Sequence, residues 1–219
     1  MCGRFGASFT APQVTKKFDL SNKPKLHQSY NIAPSQLILA VTKKSPNKGI
    51  LMKWQFVPNW TTPPKIKYKP INARDDKLEG GFYRHAFQNN RCLVPASFFY
   101  EWKKFTLEGE EQKQPYLIKL KDEEMFGMAG ICEIHTDAGG KDHYFCAIIT
   151  TKPNSLMKPI HDRMPVIIHR DDYETWLAGK VSEAKKLVKP FPTDQMEAYR
   201  VSRDVNNPRN DSKDLIKRL

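Results

Sequence analysis

Short apolar runs separated by polar, proline-marked breaks recur along the chain, and most are too short to supply a helix with a full apolar face. Gln36 to Thr42 (QLILAVT) and Ile50 to Val57 are β-rich runs on either side of Ser45-Pro46-Asn47-Lys48-Gly49, whose turn chemistry predicts a hairpin. Ser97 to Trp102, Tyr116 to Leu120, Met125 to Ile134, His143 to Thr150 and Met196 to Val201 read as further strands, with residues 104–114 as a charged hairpin loop. Helices are predicted over Pro12 to Leu20, Asp75 to Gln88, Asp171 to Ala178 with Asp171 as N-cap, and Ser182 to Val188. Pro153 to Met157 reads as a helical turn, and Ser202 to Leu219 as a polar, basic tail with a last helical turn. No repeat, heptad or boundary demands a split, so residues 1–219 are expected to form one domain.

Pro58 to Pro70 cannot be a regular element, because Pro58, Pro63, Pro64 and Pro70 each remove a backbone donor or restrict the preceding residue. This long loop interleaves Trp60, Lys65, Lys67, Tyr68 and Lys69 and follows closely on Trp54. Ammonium groups for phosphates beside rings for bases suit a single-stranded nucleic acid. The plainer reading is that Trp54 is core and the lysines only solvate the surface.

Composition sharpens that choice. Thirty-six Lys and Arg against 24 Asp and Glu give a net charge of +12, suited to a polyanionic partner. No apolar run approaches the roughly 18 residues of a membrane span, and no charged segment followed by an apolar one marks a secretory leader. The four cysteines show no CxxC spacing, which suits reduced thiols in a cytoplasmic protein. The six histidines are scattered without zinc-like intervals, so neither metal nor cofactor is expected.

Three places carry candidate chemistry. Removal of Met1 would leave Cys2 with a free α-amine, a 1,2-aminothiol able to condense with an aldehyde and then close a thiazolidine ring through sulfur. Such an amine has a pKa of roughly 7.7–8.0, so part of it is neutral at pH 7. Glu101 stands within Phe98-Phe99-Tyr100-Glu101-Trp102, where aromatic neighbours would raise its pKa toward the range useful for proton transfer; it could equally point outward from an alternating strand. His161 sits beside Asp162 and Arg163 between Pro159 and Pro165, as a switchable acid or base or as a structural histidine.

Met1-Cys2-Gly3-Arg4-Phe5, Tyr30-Asn31-Ile32-Ala33-Pro34, Ile71-Asn72-Ala73-Arg74, Phe99-Tyr100-Glu101-Trp102 and Ile160-His161-Asp162-Arg163-Met164-Pro165 occur in the order seen in the SOS response-associated peptidase (SRAP) family, which the chain resembles. Val201-Ser202-Arg203 and Val205-Asn206-Asn207 add to the likeness. The resemblance implies a single α+β domain with a barrel-like mixed β core flanked by helices. It further implies a protein that binds single-stranded DNA and crosslinks covalently to abasic sites. By the same resemblance, Cys2 matches the nucleophile, Glu101 the acid/base, His161 the group assisting strand scission and crosslink reversal, and Asn72 a polar group lining the Cys2 pocket. Arg4 and Arg74 match phosphate contacts, Trp54 and Trp60 match cleft aromatics, Thr150 matches a pocket hydroxyl, and Arg163 is grouped with them at the DNA. Gln55 stands where the family usually has glycine, and the Pro58 to Pro70 loop is long for it.

Two alternatives remain from the sequence: a peptidase or amidohydrolase with an N-terminal cysteine nucleophile, and a non-covalent single-strand binder that does not use Cys2. A monomer is the default expectation.

Overall fold

A computed structural model describes residues 2–43, 47–61 and 69–219. Ser45 and Pro46 of the predicted turn, and Pro63, Pro64, Lys65, Lys67 and Tyr68 of the predicted loop, lie outside these residues. In chain order the strands are β1 (Phe5–Ala7), β2 (Ser29–Ile32), β3 (Leu37–Thr42), β4 (Lys48–Trp54), β5 (Asn72–Arg74), β6 (Arg91–Ala96) and β7 (Phe98–Leu107). They continue as β8 (Glu110–Leu120), β9 (Phe126–Thr136), β10 (Asp142–Thr151), β11 (Met164–Pro165), β12 (Ile167–Ile168) and β13 (Met196–Arg200). The α-helices are α1 (Ala11–Lys17), α2 (Arg84–Asn89), α3 (Tyr173–Ala178) and α4 (Val181–Lys186).

Five strands close on themselves. β3 pairs antiparallel with β4 and β6, β6 with β9, β9 with β10, and β10 returns to β4 in parallel. Closure leaves no free edge within the ring. Val41, Leu93, Ile131, Ala147 and Met52 are all buried in the main core. A second sheet, ordered β13-β8-β7-β1-β2, lies beside the barrel, and the α+β class and barrel-like core are as expected.

Several boundaries differ from the sequence reading. The β3–β4 hairpin forms with Leu37 opposite Lys53 and Thr42 opposite Lys48. Asp75 to Gln88 is not one helix: a single 3-10 turn, Asp75–Lys77, is separated from α2 by Gly80-Gly81, where helix costs most backbone entropy. Residues 104–114 are not a loop but the paired ends of β7 and β8, joined at Glu108-Gly109, both at positive φ. Charged and polar residues cover both faces of this largely exposed two-stranded ribbon, which conceals the strand period. Asp171 is not an N-cap, since it lies inside a 3-10 turn, Arg170–Asp172, ahead of α3. Thr10 instead caps α1, in a reciprocal capping box with Gln13.

The tail is structured. Its 3-10 turns Arg203–Asn206 and Lys213–Ile216 bury Val205 and Leu215 against Phe98, Tyr100 and Leu117, covering the outer face of β7 and β8.

Candidate active site

β1 runs between β7 and β2, which fixes the start of the chain in register. Phe5 meets Trp54 edge-on at 5.2 Å, and Trp54 Nε1 donates to the Ile71 carbonyl at 2.9 Å. On the opposite face Gly6 lies under Phe98, where a Cβ would fall 2.1 Å from ring carbons. Cys2, three residues ahead of Phe5, is fully buried, and its carbonyl accepts from Asn72 Nδ2 at 2.9 Å. Asn72 is placed by the parallel pairing of β5 with β10, and its own carbonyl accepts from Tyr83 Oη at 3.3 Å. Asn72 Oδ1 is buried with no partner among the described residues, so an acceptor stands beside Cys2.

Glu101 is brought in by β7. The strand period puts Phe98 and Tyr100 on the outer face, against the tail, and Phe99 and Glu101 on the barrel side. Most of the aromatic residues flanking Glu101 in sequence therefore face away from it. Burial itself pushes its carboxyl up to about 7, while a positive chain terminus works against that rise. His161 Nε2 stands 3.8 Å from Glu101 Oε2, within one site but beyond hydrogen-bond length. His161 Nδ1 accepts the Arg163 backbone N–H at 3.0 Å and lies 2.9 Å from Asp162 Oδ1, while Nε2 is the nitrogen turned toward Glu101. Burial holds the His161 pKa below the usual imidazole value.

The Cys2 thiol is held protonated by the same physics: burial raises its pKa, the Glu101 charge raises it further, and the Arg4 backbone N–H offsets only part. A buried, neutral thiol, on the residue that removal of Met1 would leave with a free amine, thus shares a site with a carboxyl poised to gain or lose a proton near neutrality and a histidine whose Nε2 faces that carboxyl. That arrangement suits addition to a carbonyl with proton transfer at both the carbonyl oxygen and the leaving water.

The sequence model of the family described as SOS response associated peptidase (SRAP) matches residues 1–208. The chain belongs to this family. It is 40% identical to the abasic site processing protein YoqW of Bacillus subtilis over 99% of both chains, and 30% identical to the mouse abasic site processing protein HMCES over 99% of this chain and 75% of that one. Among solved structures, a protein from Bacteroides thetaiotaomicron superposes with a TM-score of 0.86 at 28% identity, each chain covered completely.

The residues that the resemblance singles out are not all placed alike. Cys2, Asn72, Glu101 and His161 converge. Thr150 is fully buried, and Arg163 Nη2 reaches its Oγ1 at 3.3 Å and also its carbonyl. The same Nη2 donates to Asp75 Oδ1 at 2.8 Å, so Arg163 is braced from inside the protein. Arg74 is exposed and forks onto Asp76. Trp60 is 66% exposed and meets Phe82 edge-on, and Phe82 packs on Tyr83, the donor to Asn72.

Two residues depart from expectation. Trp54 is fully buried and is a core residue, unable to stack on a base. Arg4 turns to the outer face, where Nη1 donates to Asn31 Oδ1 at 2.8 Å and the Val205 carbonyl at 2.7 Å, with Trp102 at 5.9 Å. Arg4 thereby ties the leader to the C-terminal segment. Asn31 completes the tie by donating to the carbonyls of Val205, Asn207 and Asn210. Asp75 and Asn31 were missed as site-supporting residues: each lies within or next to a signature motif, but their partners are far away in sequence. Among the described residues no group of three His, Cys, Asp or Glu could hold a metal, and no helix is long and apolar enough to cross a membrane.

Proposed function

We propose that this chain processes abasic sites in single-stranded DNA by forming a covalent thiazolidine link through Cys2 after Met1 is removed. The observation that carries this reading is the convergence of Cys2, Asn72, Glu101 and His161, with Asn72 Nδ2 on the Cys2 carbonyl and Glu101 titrating near 7. The relatives named as abasic site processing proteins, and the net charge of +12, support it.

An abasic deoxyribose is mainly a closed hemiacetal. Protonated Glu101 donates to the ring oxygen as the C1′–O bond breaks, and the anomeric hydroxyl loses its proton, which exposes the aldehyde. The Cys2 amine adds to C1′, and loss of one water, protonated by Glu101 or His161, leaves an imine. The Cys2 S–H then adds across C=N: sulfur bonds to C1′ and the proton moves to nitrogen, closing the ring. A thiol held neutral favours this order, with amine first. A positively charged surface makes encounter salt-dependent, and a single strand gives up the sugar without unstacking a partner.

The test is an oligonucleotide bearing one abasic site, incubated with full-length protein and run on a denaturing gel. A heat-stable adduct is expected, with Cys2→Ala abolishing it and intact mass confirming loss of Met1. Undiminished adduct from Cys2→Ala would refute the aminothiol mechanism.

A further inference from the structure

Arg74, Asp75 and Asp76 are consecutive, and the two aspartates hold two arginines, Arg74 and Arg163, in different ways. We propose that Asp76 is a built-in phosphate surrogate on Arg74, while Asp75 is a positioning residue for Arg163, so that neighbouring carboxylates set strand affinity with opposite signs. The proposal rests on the single-stranded DNA reading above.

Asp76 takes both Nε and Nη2 of Arg74, at 2.9 and 3.0 Å. This is the planar fork by which guanidinium binds a phosphate, and a carboxylate filling it competes for the same donors. Both side chains are about half exposed, at 54% and 49%. An exposed pair of this kind is held weakly in water, so an incoming phosphate can replace the carboxylate, but Asp76 then remains as a nearby like charge.

Asp75 is built otherwise. Oδ1 accepts from Arg163 Nη2 and Oδ2 from Thr151 Oγ1 at 2.7 Å, so both oxygens are committed to the end of β10 and the segment after it. Its side chain is 26% exposed and that of Arg163 is 13% exposed. Nη2 of Arg163 carries every hydrogen bond that its side chain makes to the described residues, to Asp75 and Thr150, which leaves Nη1 to meet a ligand. The backbone N–H of Arg163 also fixes His161. Without the Asp75 carboxylate, Arg163 loses its charged brace.

The experiment measures non-covalent binding of full-length Cys2→Ala protein to a fluorescein-labelled oligothymidylate by anisotropy across a salt series. Asp76→Asn is expected to tighten binding roughly 3-fold or more at low salt, with the gain fading as salt rises. Asp75→Asn is expected to weaken it and to lower the salt slope by about one phosphate contact, a readout that simple loss of stability does not move. Asp75→Glu should recover part of the affinity. Glu79→Gln, which removes an exposed charge paired to Lys185, controls for net charge. An Asp76→Asn gain no larger than that of Glu79→Gln, or one that persists in Arg74→Gln, overturns the surrogate role. An Asp75→Asn protein that binds as tightly as its parent overturns the positioning role. If the parent binds no oligonucleotide, the DNA reading itself falls; if it binds and the aspartates do nothing, only this proposal does.

Discussion

His161 Nε2 faces Glu101 Oε2 at 3.8 Å, with the His161 Nδ1 held by the Arg163 backbone N–H and lying 2.9 Å from Asp162 Oδ1, both on the same short segment. The pair therefore depends on the path of the chain between Pro159 and Pro165. Its protonation gives the first prediction. Glu101 has an ordinary value of 4.5 raised by burial to about 7. Well below about 4.5 the group is protonated in both folded and unfolded chains and costs nothing; between about 4.5 and about 7 the unfolded chain ionises while the folded one holds its proton, so stability falls, and above about 7 the loss is complete. The full loss is of order 3 kcal/mol, at roughly 1.4 kcal/mol per unit. Glu101→Gln should melt several degrees higher than the wild type at pH 8 and alongside it at pH 4.5. The same variant should form adduct slowly and lack an inflection near pH 7 in its rate profile.

Trp54 and Trp60 separate packing from contact. Trp54→Ala opens a cavity where a fully buried ring meets Phe5, and should cost roughly 3–5 kcal/mol in urea unfolding. Trp60→Ala removes an exposed ring, so the urea midpoint should hardly move while affinity for a single strand falls.

Gly6 is the tightest point of the leader. Gly6→Ala would bring a methyl group to 2.1 Å from the Phe98 ring and should lower stability by roughly 1–3 kcal/mol, with slower adduct formation as Cys2 shifts. Adding Phe98→Leu should restore part of both, measured by thermal melting and gel. A double variant no better than Gly6→Ala would place the damage elsewhere.

Asn31→Ala would leave Arg4 short of one acceptor and release three tail carbonyls. Loss of such a buried network should cost roughly 2–4 kcal/mol. Hydrogen exchange should rise in β1 and in residues 203–210 together, because one side chain serves both.

Much of this molecule can be read from the residues alone where interactions are local. QLILAVT and its partner run announce the β3–β4 hairpin by composition and punctuation, and Cys2, Asn72, Glu101 and His161 each stand in a distinctive motif. What escapes is decided at long range. Nothing near Trp54 distinguishes a core ring from a cleft ring, because its burial comes from Phe5 on another strand. Arg4 looks like a phosphate ligand until Val205, 201 positions later, takes its Nη1. Arg163 likewise meets Asp75, 88 positions earlier. The Asp75 to Gln88 stretch has helix-forming residues, yet Gly80-Gly81 breaks it, and the β7–β8 ribbon hides its strand period because both faces meet solvent.

The Arg4–Val205 bond also orders events at synthesis. The ribosome makes Arg4 well before the carbonyl that ties it down, which follows 201 residues later. Chains that stop short of Val205 carry Cys2 and Arg4 without the tie that fixes them, so the segment holding Cys2 is completed only by residues made some two hundred positions later.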